Sequence, residues 1–376
     1  MQKHIRENGN VIYGDLSKQV NLKLDFKGKN NIVFFAGGSR NVNISCRGDN
    51  ALIFIGDRVR ANGLIDILRF GLCYIDDNST YNGTNPRIFE AKNIIFGRDC
   101  MFSWGIWLST CDHHLIMDSQ TNDRINFSKS IYIGDHVWCG QETAILKGIF
   151  VASGAVIGAK SVVSKNCYSN TVNAGNPIIE LKRDLFWLRD DPTVGQWTKE
   201  QTLKHSNIPN ENFKYTYNQN EFLSPKAIEA KLDSLNTAQE KLEFVYDAIY
   251  MNKNKNRFAY FKDMPYDIPL PKYESKFKLL KFEEIEPTPP KPTTPPQPAQ
   301  PTPQEQINSL KEEINKKDIE IKNLKLTNQK ALNIKNHLSY KLGNALIKAH
   351  KQWYKGGYIK FIFEAIKIKN EHKFKR

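Results

Sequence analysis

The chain has no stretch near the roughly 18 uninterrupted apolar residues that a membrane span requires. Met1 to Asn10 are polar and hold no apolar leader core. The expected compartment is therefore the cytoplasm, with any membrane contact peripheral. Cysteine is sparse: Cys46, Cys73, Cys100, Cys111, Cys139 and Cys167 include no C-x-x-C pair, which argues against a zinc ribbon or a dithiol redox motif and leaves them as small buried hydrophobes. Acidic residues are also in deficit, with 40 Asp and Glu against 54 Lys and Arg, a formal charge of +14. That surplus is local. From Leu338 to Arg376 ten Lys or Arg face only Glu364 and Glu371, so +8 sits in the last 39 residues. No base-reading module accompanies it, so nucleic acid is not an expected partner. With 376 residues, 40% of them hydrophobic, the chain is long enough for two domains and an appendage.

What is present is a repeat of period six. From Ile133 it reads Ile-Gly-Asp-His-Val-Trp, Cys-Gly-Gln-Glu-Thr-Ala, Ile-Leu-Lys-Gly-Ile-Phe, Val-Ala-Ser-Gly-Ala-Val, Ile-Gly-Ala-Lys-Ser-Val and Val-Ser-Lys-Asn-Cys-Tyr, six units ending at Tyr168. The first positions (Ile133, Cys139, Ile145, Val151, Ile157, Val163) are apolar, and the fifth (Val137, Thr143, Ile149, Ala155, Ser161, Cys167) are mostly small. A helix repeats at 3.6 and a strand at 2, so a strict six means a short strand, a corner and another strand, in a chain that coils on itself. Looser copies begin at Ile55, Ile75 and Phe96, separated by 20 and 21 residues, with 37 more to Ile133. Those spacings fit a three-sided coil of about 18 residues with small insertions, two coils being absorbed in the last gap. The coil is expected over most of residues 10 to 180.

Three motifs carry a family resemblance: Gly134-Asp135-His136-Val137-Trp138-Cys139-Gly140, Gly158-Ala159-Lys160-Ser161-Val162-Val163-Ser164-Lys165, and Ala174-Gly175-Asn176-Pro177 before a basic pair. The stretch Ile131 to Trp187 resembles the hexapeptide-repeat acyltransferases, especially sugar and capsule O-acetyltransferases related to galactoside and xenobiotic acetyltransferases, and the similarity reaches back to about Phe96. The resemblance implies a mainly β chain built as a left-handed parallel β-helix, a homotrimer, and acetyl-CoA as cosubstrate in a groove between neighbouring copies. It carries Trp138, Gly140, Ala159, Ser164, Lys165 and Lys182 into that groove, with Trp138 walling the thioester. No metal is expected, since backbone donors can stabilise the oxyanion.

A hydroxyl is a poor nucleophile at neutral pH, so acetyl transfer to a sugar needs a general base. His113 and His114 interrupt the repeat in Ser109-Thr110-Cys111-Asp112-His113-His114-Leu115-Ile116, where an excursion is expected. Aligned with the family's Asp-x-His-x-Ile pattern, His114 takes the base position. Asp112, or else Asp118, is the candidate to orient the imidazole, and a backbone carbonyl would serve equally. His113, Trp104 and Trp107 are candidate acceptor contacts, with core filling equally open for the two indoles. Cys111 continues the coil as a small residue, and direct transfer is preferred to an acyl-enzyme. His136 falls on an outward corner, is expected to be exposed and is assigned no role. Adjacent histidines do not supply the three separated imidazoles of a zinc carbonic anhydrase.

The domain reading is 1–190 for the β-helix, 191–286 for a small mainly helical domain, 287–303 for a Pro-rich linker, 304–350 for a helix or coiled coil and 351–376 for a basic aromatic tail. Ser224-Pro225 and the capping box Thr237-Ala238-Gln239-Glu240 start helices. Nine of the 17 prolines lie between Pro287 and Pro303. Ile307, Leu310, Ile314, Ile321 and Leu324 recur at heptad spacing, and the final segment mixes lysines with Trp353, Tyr354, Tyr358, Phe361, Ile362 and Phe363, a composition suited to an anionic membrane surface or a partner in glycan assembly. The expected activity is O-acetylation of a capsule or lipooligosaccharide sugar, with sialic acid one possible acceptor. Aminosugar N-acetylation and a noncatalytic trimeric scaffold are the alternatives.

Overall fold

A computed structural model of the chain describes residues 1–194, 197–204, 213–285 and 337–373, with isolated positions between 314 and 324. It divides into two units, Met1–Pro289 and Pro290–Arg376. The linker reading lies outside the described residues, as do Ile307 and Leu310 and most of the heptad segment.

The first unit is built on a left-handed parallel β-helix of three sheets, with nine, nine and seven strands. Each coil gives one short strand to each sheet. The first sheet stacks Ile32–Phe35, Leu52–Ile55, Leu72–Ile75, Asn93–Phe96, Ile131–Ile133 and Phe150–Val151; the second includes Val59–Asn62, Thr80–Asn82, Met101–Phe102, Trp138–Cys139 and Val156–Ile157; the third includes Thr84–Ile88, Ile106–Ser109, Ala144–Ile145 and Val162–Val163. The first and fifth residues of all six hexapeptides point inward and are buried. So are all six cysteines, none in a disulfide. Burial pushes the thiols of Cys46, Cys139 and Cys167 up to about 12, so they stay protonated and inert.

The coil length corrects one expectation. Ile133 pairs with Val151 and Trp138 with Val156, the 18-residue coil of the hexapeptides. Upstream, Val33, Ile53, Cys73 and Ile94 pair in turn at 20 and 21 residues, and Thr84 pairs with Ile106 at 22, so those coils exceed 18 by the small insertions that the spacing implies. Their larger corners are held by side chains: Asn21 Nδ2 donates to Asn41 Oδ1 at 2.9 Å, and Asn41 Nδ2 to Asn62 Oδ1 at 2.7 Å. Asn21 and Asn41 take φ near +57°, where Asn is tolerated best after Gly. The 37 residues from Phe96 to Ile133 form one coil, not two. Phe96 pairs directly with Ile133, and the surplus length leaves the solenoid as a single excursion between Ser109 and Ile131.

The outer side of the first sheet is apolar and carries an aromatic column. Phe34, Phe54 and Tyr74 stack at 4.8 Å, the spacing of the strands themselves. Such a surface needs a cover, and residues 215–282 supply it. Helix α1 (Lys199–Lys204) precedes the cover; α2 (Pro225–Asp233) is capped by Ser224, and α3 (Ala238–Phe244) by the Thr237/Glu240 box. Leu242, Val245, Ile249, Phe222, Phe258 and Phe277 join the aromatic column in one core. The chain start closes the same sheet, Gln2–Ile5 lying between Val11–Tyr13 and Glu283–Ile285.

One buried cation ties cover to solenoid. Arg257 is 0% exposed; it donates to Asp135 at 2.7 and 2.9 Å, to Asp76 at 2.6 Å and to the Ile249 carbonyl at 2.6 Å. Burial alone would raise the Asp135 carboxyl, but the adjoining guanidinium outweighs it and holds the group below its ordinary value. Glu229 makes a second tie, meeting Lys92 at 3.0 Å, Asn93 at 3.0 Å, Ser130 at 2.9 Å and the Tyr132 hydroxyl.

In the second unit, α4 (Leu338–Lys351) and α5 (Gly357–Lys373) form an antiparallel hairpin reversed at Gly356-Gly357. A Cβ at Gly357 would stand 2.3 Å from the Ala349 carbonyl oxygen, so only glycine allows the close turn.

Arg257→Met should lower unfolding stability by about 3–5 kcal/mol, because two carboxylates are left buried without their cation. Calorimetry checks this, and replacing Asp76 and Asp135 by Asn as well should recover part of the loss. A single variant as stable as wild type would contradict the role. Because the Asp135 value is lowered, its stabilisation is complete above the ordinary carboxylate range and disappears as pH falls through the depressed value.

Candidate active site

The excursion leaves the corner between the third and first sheets, and Asp112, His113 and His114 stand at its root. Its shape is set by polar contacts to residues distant in sequence. The Asp112 carboxylate is bound by Lys147 Nζ and, at 3.0 Å, by Asn126 Nδ2, which also donates to the His114 carbonyl at 2.7 Å. Asn126 Oδ1 accepts from the Ile116 amide at 2.9 Å, and Arg124 and Ser128 reach Glu90 at 3.0 and 2.7 Å. The bond from Lys147 keeps the Asp112 carboxyl below its usual range, so it remains a carboxylate. Its partners are therefore an ammonium and an amide, and the segment it steadies is the one that presents His114. Both imidazoles are exposed; His113 sits edge-on to Phe89 at 5.3 Å, and among the described residues neither ring makes a side-chain hydrogen bond. Asp118 binds the amides of Gln120 and Thr121 within the loop. Sequence reasoning did not find Asn126 or Lys147, which lie 14 and 35 residues from Asp112.

The remaining candidates separate into two groups. Trp138 is 40% exposed on the outer side of the second sheet, and Lys182 lies on the hairpin that ends that sheet. Gly140, Ala159 and Trp104 share the corner between the second and third sheets. A Cβ on Gly140 would meet the Ala159 amide at 2.6 Å, so glycine there lets successive corners stack. Ser164 and Lys165 turn the opposite corner, the one that carries the His loop. Trp107 stands exposed between the groups on the third sheet, in register with Ala144. The strand Ile106–Ser109 that separates the corners spans roughly 10 Å. The loop itself presents Leu115, Ile116, Met117, Ile125 and Phe127 to solvent.

Comparison with known proteins gives this geometry a context. The chain is 35% identical over 124 residues to a polysialic acid O-acetyltransferase of Neisseria meningitidis, and 33% identical over 104 residues to one of Escherichia coli O1:K1. These alignments take in 32% and 28% of the chain, and 58% and 34% of the relatives, so the chain spans little more than half the length of the first and about a third of the second. The crystal structure of the polysialic-acid-specific acetyltransferase NeuO matches at 30% identity over 52% of this chain and 93% of that one, with a TM-score of 0.45. The relatives it matches are named O-acetyltransferases, the family that its hexapeptide repeats resemble. Residues 306–374 match a separate family described as a domain of unknown function, DUF8374.

Two features escaped the reading of this family's motifs. His136 occupies its corner at φ +54° but is buried, because Trp187 and Phe213 cover it. Its ring lies between Trp187 at 4.0 Å and Phe213 at 3.7 Å, its Nε2 is 2.9 Å from the Trp187 carbonyl oxygen, and Trp187 Nε1 donates to the His136 carbonyl. The expected exposure is wrong because a six-residue period does not reveal a distant segment that returns to cover a corner. Trp187 in turn packs on Trp138 at 5.8 Å, so this stack supports the indole. The second feature is a pair of arginines. Arg40 and Arg60 stand in direct register, both exposed, on the sheet that carries Trp138, and neither pairs with a carboxylate among the described residues. Like charges so placed repel, which costs stability without an anion between them. Arg189, beyond the last strand, reaches the same sheet and donates to Thr80 Oγ1 at 3.0 Å in the strand next to that of Arg60. The only sequence signal was the 20-residue spacing of Arg40 and Arg60.

Burial pushes the His136 imidazole down to about 4. A depressed histidine stabilises the fold fully above its unfolded value, and that contribution is lost as pH falls through the folded one. Stability should fall by up to about 3 kcal/mol between about pH 6.5 and pH 4. His136→Gln should flatten this segment of a pH–denaturation profile; an unchanged slope would show that the ring does not titrate there.

Proposed function

We propose that the chain transfers acetyl from acetyl-CoA to a hydroxyl of an acidic bacterial surface glycan, with His114 as general base. The observation that carries the reading is the seat of the His loop, an exposed imidazole on a root braced by Asp112, Asn126 and Lys147, in a chain whose relatives are named polysialic acid O-acetyltransferases. His114 takes the acceptor proton as the hydroxyl oxygen attacks the thioester carbonyl, and the imidazolium returns it to the departing thiolate. Trp138 walls the thioester, while Gly140, Ala159, Ser164, Lys165 and Lys182 hold the pantetheine and phosphates. Trp104, Trp107 and His113 contact the sugar. Asp112 fixes the loop and acts on His114 through it.

The two groups of residues lie on opposite edges of the third sheet, so a complete site uses two copies, the loop of one reaching the Trp138 side of the next. A homotrimer meets that requirement three times, and the apolar side chains of the loop fit burial against a neighbour. The unopposed Arg40 and Arg60 favour an acceptor that carries carboxylates. Aminosugar N-acetylation would use the same base and differs only in acceptor.

Acetyl-CoA turnover followed by thiol release, with a panel of surface glycans, tests the reading. His114→Ala should lower kcat by about 10² to 10⁴ at unchanged oligomer content, while His113→Ala stays within a few-fold. Turnover unaffected by both would remove the assigned base, and absence of acetyl-CoA binding would favour the scaffold. Arg60→Glu should raise KM for an acidic polymer at least about tenfold and leave a neutral acceptor unchanged. An equal effect on both acceptors would separate the arginines from acceptor charge.

A further inference from the structure

The second unit divides its residues sharply. On α5, Phe361, Ala365 and Ile368 are half-buried at i, i+4 and i+7; on α4, Leu338, Leu342 and Ala345 are half-buried and Ala349 is buried, and Ala345 and Ala349 line one groove with Phe361 and Ile368. A second stripe, Ile359, Ile362, Phe363 and Ile366, follows the i, i+3, i+4, i+7 pattern and is left 66, 58, 71 and 54% exposed. A two-helix hairpin is thus satisfied by one face of α5 while four large apolar side chains on the other remain in water.

The charge is arranged to match. Glu364 and Glu371, the only acidic residues from Leu338 onward, line the groove of about 540 Å³ between the helices, together with Phe361 and Ile368. None of the stripe residues lines that groove. The acids therefore lie away from the stripe; Lys360, which also borders the groove, and Lys367 follow one of its edges, while Lys369 follows the other at helical angles. Tyr358 and Tyr354, both exposed, stand at its N-terminal end. No helix among the described residues is long and apolar enough to cross a membrane. An apolar stripe two turns long, edged by lysines and cleared of carboxylates, fits a surface that is apolar within and anionic without.

We propose that this hairpin, which lies within the DUF8374 segment, docks on an anionic bilayer surface, with α5 in the interfacial plane, its four-residue stripe among the acyl chains and its lysines at the headgroups. The proposal does not depend on acetyl transfer, and its readout is lipid binding. The full chain is sedimented with vesicles of pure phosphatidylcholine and with vesicles containing about one quarter phosphatidylglycerol. Wild type should bind the anionic vesicles at least about tenfold better, and added salt should weaken the binding. Phe363→Asp and Ile362→Asp, positions outside the hairpin's own packing, should reduce it by about tenfold or more with helicity unchanged by circular dichroism. Lys360→Glu with Lys367→Glu should abolish the preference for anionic lipid. Equal binding to both vesicles, or variants that bind as wild type does, would overturn the proposal. So would loss of a larger oligomer in Phe363→Asp without any lipid binding, which would assign the stripe to a second copy of the chain.

Discussion

A single coil of a β-helix cannot satisfy its own backbone. Every amide and carbonyl on its three flat sides must pair with the coil above or below, and most of this chain follows from that constraint. Side chains that face inward must stack in register, as Val33, Ile53, Cys73 and Ile94 do. Corners must repeat in register, whether by glycine against backbone at Gly140 or by the amide ladder of Asn21, Asn41 and Asn62. The ends must be closed. Gln2–Ile5 and Glu283–Ile285 continue the first sheet at the start, and the antiparallel pair Thr171–Ala174 and Ile179–Arg183 finishes the second. Closed edges also keep the solenoid from extending into a neighbouring chain.

The same constraint decides what was legible in the sequence. The six hexapeptides announce themselves because an 18-residue coil divides evenly into three, so every inward residue falls on one period. Coils of 20 and 21 residues depart from the period of six, and their asparagine corners spread the signal over a spacing no six-residue reading collects. The excursion was legible as an interruption, but its length was mistaken for a second coil. Length alone does not distinguish a coil that stacks from a loop that leaves the stack; the pairing of Phe96 with Ile133 does. The helical cover was visible only in its caps, since its fit to Phe34, Phe54 and Tyr74 depends on side chains some 200 residues apart in sequence, a separation no local period reports.

Residues of the site were recoverable where they lie within a motif and not where they act across coils. Trp138, Gly140 and Ala159 sit in contiguous hexapeptides. Asn126 braces Asp112 from the far end of the excursion and Lys147 from the next coil, and Arg257 reaches Asp135 from 122 residues away. Asp135 makes the point sharply. In sequence it is one letter of the Gly134-Asp135-His136 motif, yet its two oxygens serve the cation that seats the cover, while the adjacent His136 supports Trp187 and through it Trp138. A motif read as cofactor chemistry thus also holds two layers of the protein together.

That double use explains why the excursion, and not the body of the helix, is where chemistry can vary. Any residue inserted into a flat side breaks the register of all three sheets above it, whereas a corner accepts extra chain at the cost of closing one loop, which grows only slowly with length. The loop between Ser109 and Ile131 leaves and re-enters at adjoining backbone positions, Lys129 donating to the Thr110 carbonyl at 3.0 Å. The coil count is therefore unchanged by whatever the loop carries. Its polar root, Asp112 with Lys147 and Asn126, faces the solenoid, and its apolar residues face outward. A loop whose only partner was water would be expected to have the opposite arrangement. The distribution is consistent with a segment that is positioned by its own chain and completed by another.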